Sequence, residues 1–179
     1  NAESSSFSLT NTNAGGQAFV TIDFNATEHS EFLRPVSGDW DGDGQSGLGA
    51  YDTLTGCFLI KNKLSDGTAD KYFRFGPLRS DWQPVAGDWD GDGMDTIGIY
   101  SSEIGLFYLK NTLTGGMADI KIRYGPTGPD WIAVSGDWDD DGMDEIGLYN
   151  QRLGQFYLKN SLSGGEADIV FSFGPYGAF

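Results

Sequence analysis

One acidic loop recurs three times in this chain at a fixed spacing of 49 residues: Gly38-Asp39-Trp40-Asp41-Gly42-Asp43-Gly44, Gly87-Asp88-Trp89-Asp90-Gly91-Asp92-Gly93 and Gly136-Asp137-Trp138-Asp139-Asp140-Asp141-Gly142. Self-similarity at that period signals a repeat architecture. The units align without gaps. Val36, Val85 and Val134 precede the loops; Tyr51, Tyr100 and Tyr149 follow them; then come Phe58, Phe107 and Phe156, and Asn62, Asn111 and Asn160. Phe75, Tyr124 and Phe173 close each unit before a Gly-Pro pair.

The N-terminus reads as half a unit. Phe7, Leu9, Asn11, Gly15-Gly16, Ile22 and Phe24 match Phe107, Leu109, Asn111, Gly115-Gly116, Ile122 and Tyr124. The sequence thus divides into a half repeat at 1–34 and repeats at 35–83, 84–132 and 133–179, together one repeat domain. Each unit is expected to hold four short strands, in the third about 132–135, 145–149, 155–159 and 169–173. Alternation is plainest in Ile120, Ile122 and Tyr124 against Lys121 and Arg123. Glycine-rich turns separate the strands, and no segment has helical periodicity. The expected fold class is all-β, with tandem four-stranded blade-like repeats, like a β-propeller of about three and a half units. Propellers usually have at least four blades. Three and a half units therefore read as part of a longer chain, as an incomplete ring, or as a protomer completed by a neighbouring chain: a half unit leaves unpaired strand edges that recruit other chains, and an open head-to-tail contact would build a filament.

Composition narrows the function. The net charge is −15, and half of the 26 acidic residues lie in or just after the three loops. Bare loops of this kind repel themselves and ask for cations. The 11 Lys and Arg are scattered, which argues against nucleic acid as a partner. No apolar run reaches the roughly 18–20 residues a membrane span needs. Cys57 is the only cysteine, and Leu106 and Gln155 replace it in the other units, so it reads as incidental.

Numbered from the first aspartate, positions 1, 3 and 5 are Asp39, Asp41 and Asp43; Asp88, Asp90 and Asp92; and Asp137, Asp139 and Asp141. Side chains two apart converge when the backbone curls around an ion, and Gly44, Gly93 and Gly142 at position 6 permit the turn. Position 7 offers a backbone carbonyl. Position 8 or 9 offers a fourth side chain, from Asp95 or Thr96 and from Asp144 or Glu145. All-oxygen, carboxylate-rich donors point to Ca²⁺, about three ions, rather than Zn²⁺ or Mg²⁺. The loop is not an EF-hand, because position 12 is Ala50, Ile99 or Leu148 and no helix flanks it.

The stretch Gly-Asp-Trp-Asp-Gly-Asp-Gly-Met-Asp-Thr-Ile-Gly-Ile-Tyr at 87–100 resembles the FG-GAP and VCBS-type repeats of bacterial surface proteins and integrin α-subunit propellers. The resemblance covers nearly the whole chain, unit by unit. It implies a calcium ion in the loop between the first two strands of each blade, held by the aspartates at positions 1, 3 and 5. That family usually places its next aspartate at position 9. Here Asp95 and Asp144 stand at position 8, and the first loop has Ser46 and Gly47 there, so its site is expected to bind more weakly.

Trp40, Trp89 and Trp138, and the junction residues Trp82 and Trp131, are read as packing residues rather than a sugar-stacking face. The one histidine, His29, falls in a two-residue insertion and offers no catalytic constellation. No enzyme activity is expected. Asn25-Ala26-Thr27 fits the N-glycosylation acceptor pattern, and Ser4, Ser5, Ser6, Tyr176 and Phe179 are candidate contacts between chains. The functional expectation is an extracellular or cell-surface structural or adhesive protein that self-associates or binds other surface proteins. The alternative is a calcium-dependent lectin-like module with a glycan partner.

Overall fold

The structure is a computed structural model; it describes residues 6–12, 18–25 and 30–173. His29, Ala26, Thr27, Ser4, Ser5, Tyr176 and Phe179 lie outside the described residues. The chain forms two compact units, residues 1–33 and 34–179.

The first unit is a hairpin of β1 (Ser6–Thr12) and β2 (Ala18–Asn25). It pairs Phe7 with Phe24 and Leu9 with Ile22, and the register shifts between Leu9 and Asn11. A single 3₁₀ turn, Ser30–Phe32, comes next.

The second unit holds three four-stranded antiparallel sheets, each a meander in chain order. The first sheet is β3 (Leu33–Gly38), β4 (Gly47–Asp52), β5 (Cys57–Lys61) and β6 (Lys71–Arg74). The second is β7 (Gln83–Gly87), β8 (Thr96–Ser101), β9 (Leu106–Leu109) and β10 (Ile120–Arg123). The third is β11 (Trp131–Gly136), β12 (Glu145–Asn150), β13 (Gln155–Leu158) and β14 (Ile169–Ser172). Strand ends move by a residue or so from the expected bounds, and each sheet starts a residue or two ahead of its repeat boundary. Among the described residues there is no α-helix, and no helix is long and apolar enough to cross a membrane.

Register repeats with the sequence. Tyr51 pairs with Phe58, Tyr100 with Phe107 and Tyr149 with Phe156, one rung of each sheet. Their rings touch at centroid distances of 4.9, 4.4 and 4.6 Å. Aromatic cross-strand pairs contribute beyond the area they bury.

The core lies between sheets, in two layers. One joins Trp40, Tyr51, Phe58, Ile60 and Phe75 of the first unit to Ile97, Ile99 and Leu113 of the second. The other joins Trp89, Tyr100, Phe107, Leu109, Ile122 and Tyr124 of the second to Ile146 and Leu148 of the third. A sheet thus presents a trailing face of aromatics, which receives the leading face of the next sheet. The middle sheet is covered on both sides, and β8 is buried along its whole length. Trp40 and Trp89 sit in the core as expected, whereas Trp138 is only half-buried. Trp82 stacks on Tyr108 and Trp131 meets Tyr157 edge-on.

Candidate metal centres

Each acidic loop joins the first two strands of its sheet and hangs from the ends of that hairpin. The position-1 aspartate organises it. Asp39 accepts N–H bonds from Gly42, Asp43 and Gly44 at 2.9, 3.2 and 2.7 Å. Asp88 accepts the equivalent three at 2.8, 3.1 and 2.7 Å, and Asp137 at 2.6, 3.2 and 3.0 Å. This curl needs left-handed backbone at positions 4 and 6. Gly42 and Gly44 have φ of 75° and 81°. In the third loop position 4 is Asp140, which holds φ 63° in the region that aspartate tolerates better than most residues. Burial would raise the Asp39 carboxyl, but the N–H groups of Gly44, Gly42, Asp41 and Asp43 outweigh it and hold its pKa below the ordinary value. Asp137 is held down chiefly by the Gly142 N–H. A charged carboxylate is therefore ready in the curled loop.

Carboxylates gather in all three loops. Asp39, Asp41 and Asp43 bring one oxygen each to within 4.8 Å of one another, as do Asp88, Asp90 and Asp92. In the third loop the gathered set is Asp137, Asp139 and Glu145. Each set of three hard carboxylate oxygens could hold a metal ion. Glu145 is buried, and its pKa is pushed up to about 7 by that burial, despite the Trp138 N–H, with Asp139, Asp141 and Asp137 adding repulsion. Position 9 is thus the carboxylate that joins the third loop. At the same position Thr96 donates to the Gly87 carbonyl at 3.3 Å, and Gly47 has no side chain.

Asp95 and Asp144 stand outside these sets. Each crosses to the preceding sheet. Asp95 Oδ2 accepts the Asp39 N–H at 2.7 Å, and the Asp95 N–H donates to the Asp39 carbonyl at 2.7 Å. Asp144 grips Asp88 in the same way, at 2.9 and 2.8 Å. Burial raises the pKa of both carboxyls against the pull of the N–H each one holds. Position 8 is therefore a clasp between neighbouring loops. Ser46 occupies that position in the first loop, so its departure from aspartate bears on contact between sheets rather than on the ion-facing carboxylates.

The clasp also accounts for the glycine that opens the first two Gly-Asp-Trp runs, whereas at Gly136 a Cβ would meet only the Trp138 ring. A Cβ at Gly38 would come within 2.8 Å of Asp95 Cβ and of the Trp40 ring, and one at Gly87 within 2.8 Å of Asp144 Cβ. Sequence reading missed this role, although the unbroken glycine was its signal. It also missed Asn62, whose Nδ2 donates to Asp41 Oδ2 at 2.6 Å and ties the β5–β6 turn to the first loop.

A second repeated carboxylate lies away from the loops. Asp70, Asp119 and Asp168 each accept the backbone N–H of the unit's asparagine (Asn62, Asn111 or Asn160) at 2.9 Å. Asp119 and Asp168 also pair with Lys110 and Lys159 at 3.2 and 2.7 Å. The chain matches no protein-family model, no curated protein and no solved structure.

Proposed function

We propose that this chain is a non-catalytic, calcium-stabilised structural or adhesive repeat module that works outside the cell or on its surface. On this reading its sheets are blades of a propeller-like stack of the FG-GAP and VCBS kind, and it joins copies of itself or other surface proteins through its end units. The observation that carries the reading is the recurrence, on three successive sheets, of three converging carboxylate oxygens at the same place in the hairpin. Asp39, Asp41 and Asp43, Asp88, Asp90 and Asp92, and Asp137, Asp139 and Glu145 would hold the ions. A bound cation offsets repulsion within each loop and, through the clasps, between loops. Exposed sites with few protein carboxylates suit the roughly 10⁻⁴–10⁻³ M affinities of extracellular calcium modules.

Thermal unfolding with and without calcium tests this. A site filled at a hundredfold excess over its Kd adds about 2.7 kcal/mol. For a domain of this size each kcal/mol moves Tm by roughly 2–4 °C. Excess EDTA should therefore lower Tm by many degrees, and calcium should restore it better than equimolar magnesium. A melt unmoved by EDTA and a flat calcium titration in calorimetry would refute the metal assignment.

A further inference from the structure

At the strand ends opposite the acidic loops, one cleft breaks the repeat. The linker between the first two sheets, the β8–β9 turn and the linker after the second sheet surround about 550 Å³ there. Two departures from the repeat make this place different. In the third sheet the matching turn closes on its linker: the Gln151 N–H donates to the Asp130 carbonyl at 3.0 Å, and Gln151 Nε2 donates to the Pro129 carbonyl at 3.1 Å. Ser102 stands in the place of Gln151 and has no amide to reach across, so the gap stays open. The second departure is Arg79. It holds φ at 51°, left-handed backbone that strains a residue with a side chain, where the next linker uses Gly128 at φ 128°. Arg79 lines the cleft together with Asp81 and Glu103. Among the described residues the guanidinium and the two carboxylates enter no ion pair, with each other or with any neighbour. Trp82 also lines the cleft, and its indole is steadied by stacking on Tyr108 at 5.1 Å.

We propose that this cleft binds a neutral carbohydrate of one or two rings. A guanidinium only donates hydrogen bonds and a carboxylate only accepts them. Sugar hydroxyls do both, so one uncharged polyol serves Arg79 and both acids, with the Ser102 and Thr127 hydroxyls adding to the set. The indole offers an apolar surface to the C–H face of a ring. An anion would meet two carboxylates, and an organic cation would meet the guanidinium. The volume lies in the range of small-molecule sites. A free amino acid is the competing occupant, since its two charges would divide between the arginine and an acid. The uncharged ligand is favoured because the three charged groups are open to water, where ion pairs gain little. This inference goes beyond the structural reading by giving the module a ligand, and it requires no metal.

The test is amide-resolved NMR titration of the full chain in calcium, with glucose, galactose, mannose, N-acetylglucosamine, maltose, cellobiose and lactose as probes, and with glycine and glutamate as the amino-acid arm. At least one sugar should shift resonances confined to residues 79–82, 101–103 and 127–129. Arg79→Gly relieves the left-handed backbone, so it should keep or gain thermal stability and yet weaken sugar binding by roughly tenfold or more. A purely structural arginine would not separate those two readouts. Glu103→Gln, at an exposed position, keeps the shape and should weaken binding several-fold. The proposal is overturned if no sugar of the panel binds, if the shifts lie elsewhere, if binding survives Arg79→Gly, or if only the amino acids bind. A flat calcium titration removes the metal assignment and leaves the cleft standing, whereas a silent sugar panel removes only the cleft.

Discussion

The second and third sheets carry the same aromatic rungs, but only the second is sealed. Tyr100 and Phe107 have no exposed surface, whereas their counterparts Tyr149 and Phe156 are half-buried and Phe173 is open to water. The register is the same in both sheets, so pairing does not explain the difference. A repeat of this kind supplies an apolar face, and burial of that face comes from the next repeat. Stability should then track position in the stack more than residue identity. The largest effect expected from this comparison is in matched truncations. Phe107→Ala should cost about 3–5 kcal/mol, as fully buried aromatics do. Phe156→Ala should cost less than half as much in dilute protein. Urea unfolding of the two variants checks it. Equal costs would mean that the third sheet is covered in solution, and the two costs should converge as concentration rises if a second copy covers it.

The two inner joints offer a finer comparison. Both have the aspartate clasp, but the joint between the second and third sheets has more. Gln83 donates to the Trp131 carbonyl at 2.9 Å and accepts the Ala133 N–H at 2.8 Å, and Ser135 donates to the Ala86 carbonyl at 2.7 Å. At the position equivalent to Ser135 in the earlier joint stands Ala86, which has no side-chain donor. Loss of the clasp should therefore matter more at the first joint. Asp95→Ala is expected to cost about 1–3 kcal/mol, the range for a backbone donor left without its partner, and Asp144→Ala less. Calorimetry separates clasp from ligand. Asp90→Asn and Asp139→Asn should weaken calcium binding by roughly tenfold or more, while Asp95→Asn and Asp144→Asn change it only a few-fold. A loss in Asp144→Asn as large as in Asp139→Asn would return position 8 to the metal.

Much of this architecture is legible in the residues. The 49-residue period locates all three sheets, because each strand recurs with its Tyr, Phe or Ile at a fixed offset from the loop. The gathered carboxylates of the first two loops are legible for the same reason, since positions 1, 3 and 5 alternate within one short turn; in the third loop Glu145 takes the place expected of Asp141. What the sequence hides is the destination of a side chain that leaves its own unit. Asp95 and Asp144 come two or three residues after a metal loop and read as further ligands, yet the next unit's offset carries them onto the backbone of the loop before. Glu145 stands beside Asp144 as a candidate ligand in the sequence, and only the fold separates them: Glu145 gathers with Asp137 and Asp139, while Asp144 grips Asp88. The uncovered faces are equally invisible, because Phe173 and Tyr124 are alike in sequence and differ only in whether another sheet packs over them.

The smallest expected effect concerns the carboxylates outside the loops, where the second and third units again match. Asp168 is held below the usual carboxylate pKa first by the Lys159 ammonium and then by the Asn160 N–H. Asp119 is held down first by the Asn111 N–H and then by Lys110. Both lysines are buried, so the aspartate anions are their charge partners. A depressed folded pKa contributes stability that is present above the unfolded value, about 3.9 for aspartate, and is lost as pH falls through the folded value. The window therefore lies below about pH 4. Both aspartates are largely exposed and water screens the pairs, so each contribution is modest. With protein stripped of metal beforehand and kept in calcium-free buffers, which removes metal release from the comparison, the Asp119→Asn, Asp168→Asn double variant should melt a little below wild type near neutral pH. The gap should narrow as pH falls from about 4 to 2. A gap that stays constant over that interval would show that the two side chains act through their shape and neutral hydrogen bonds rather than through charge.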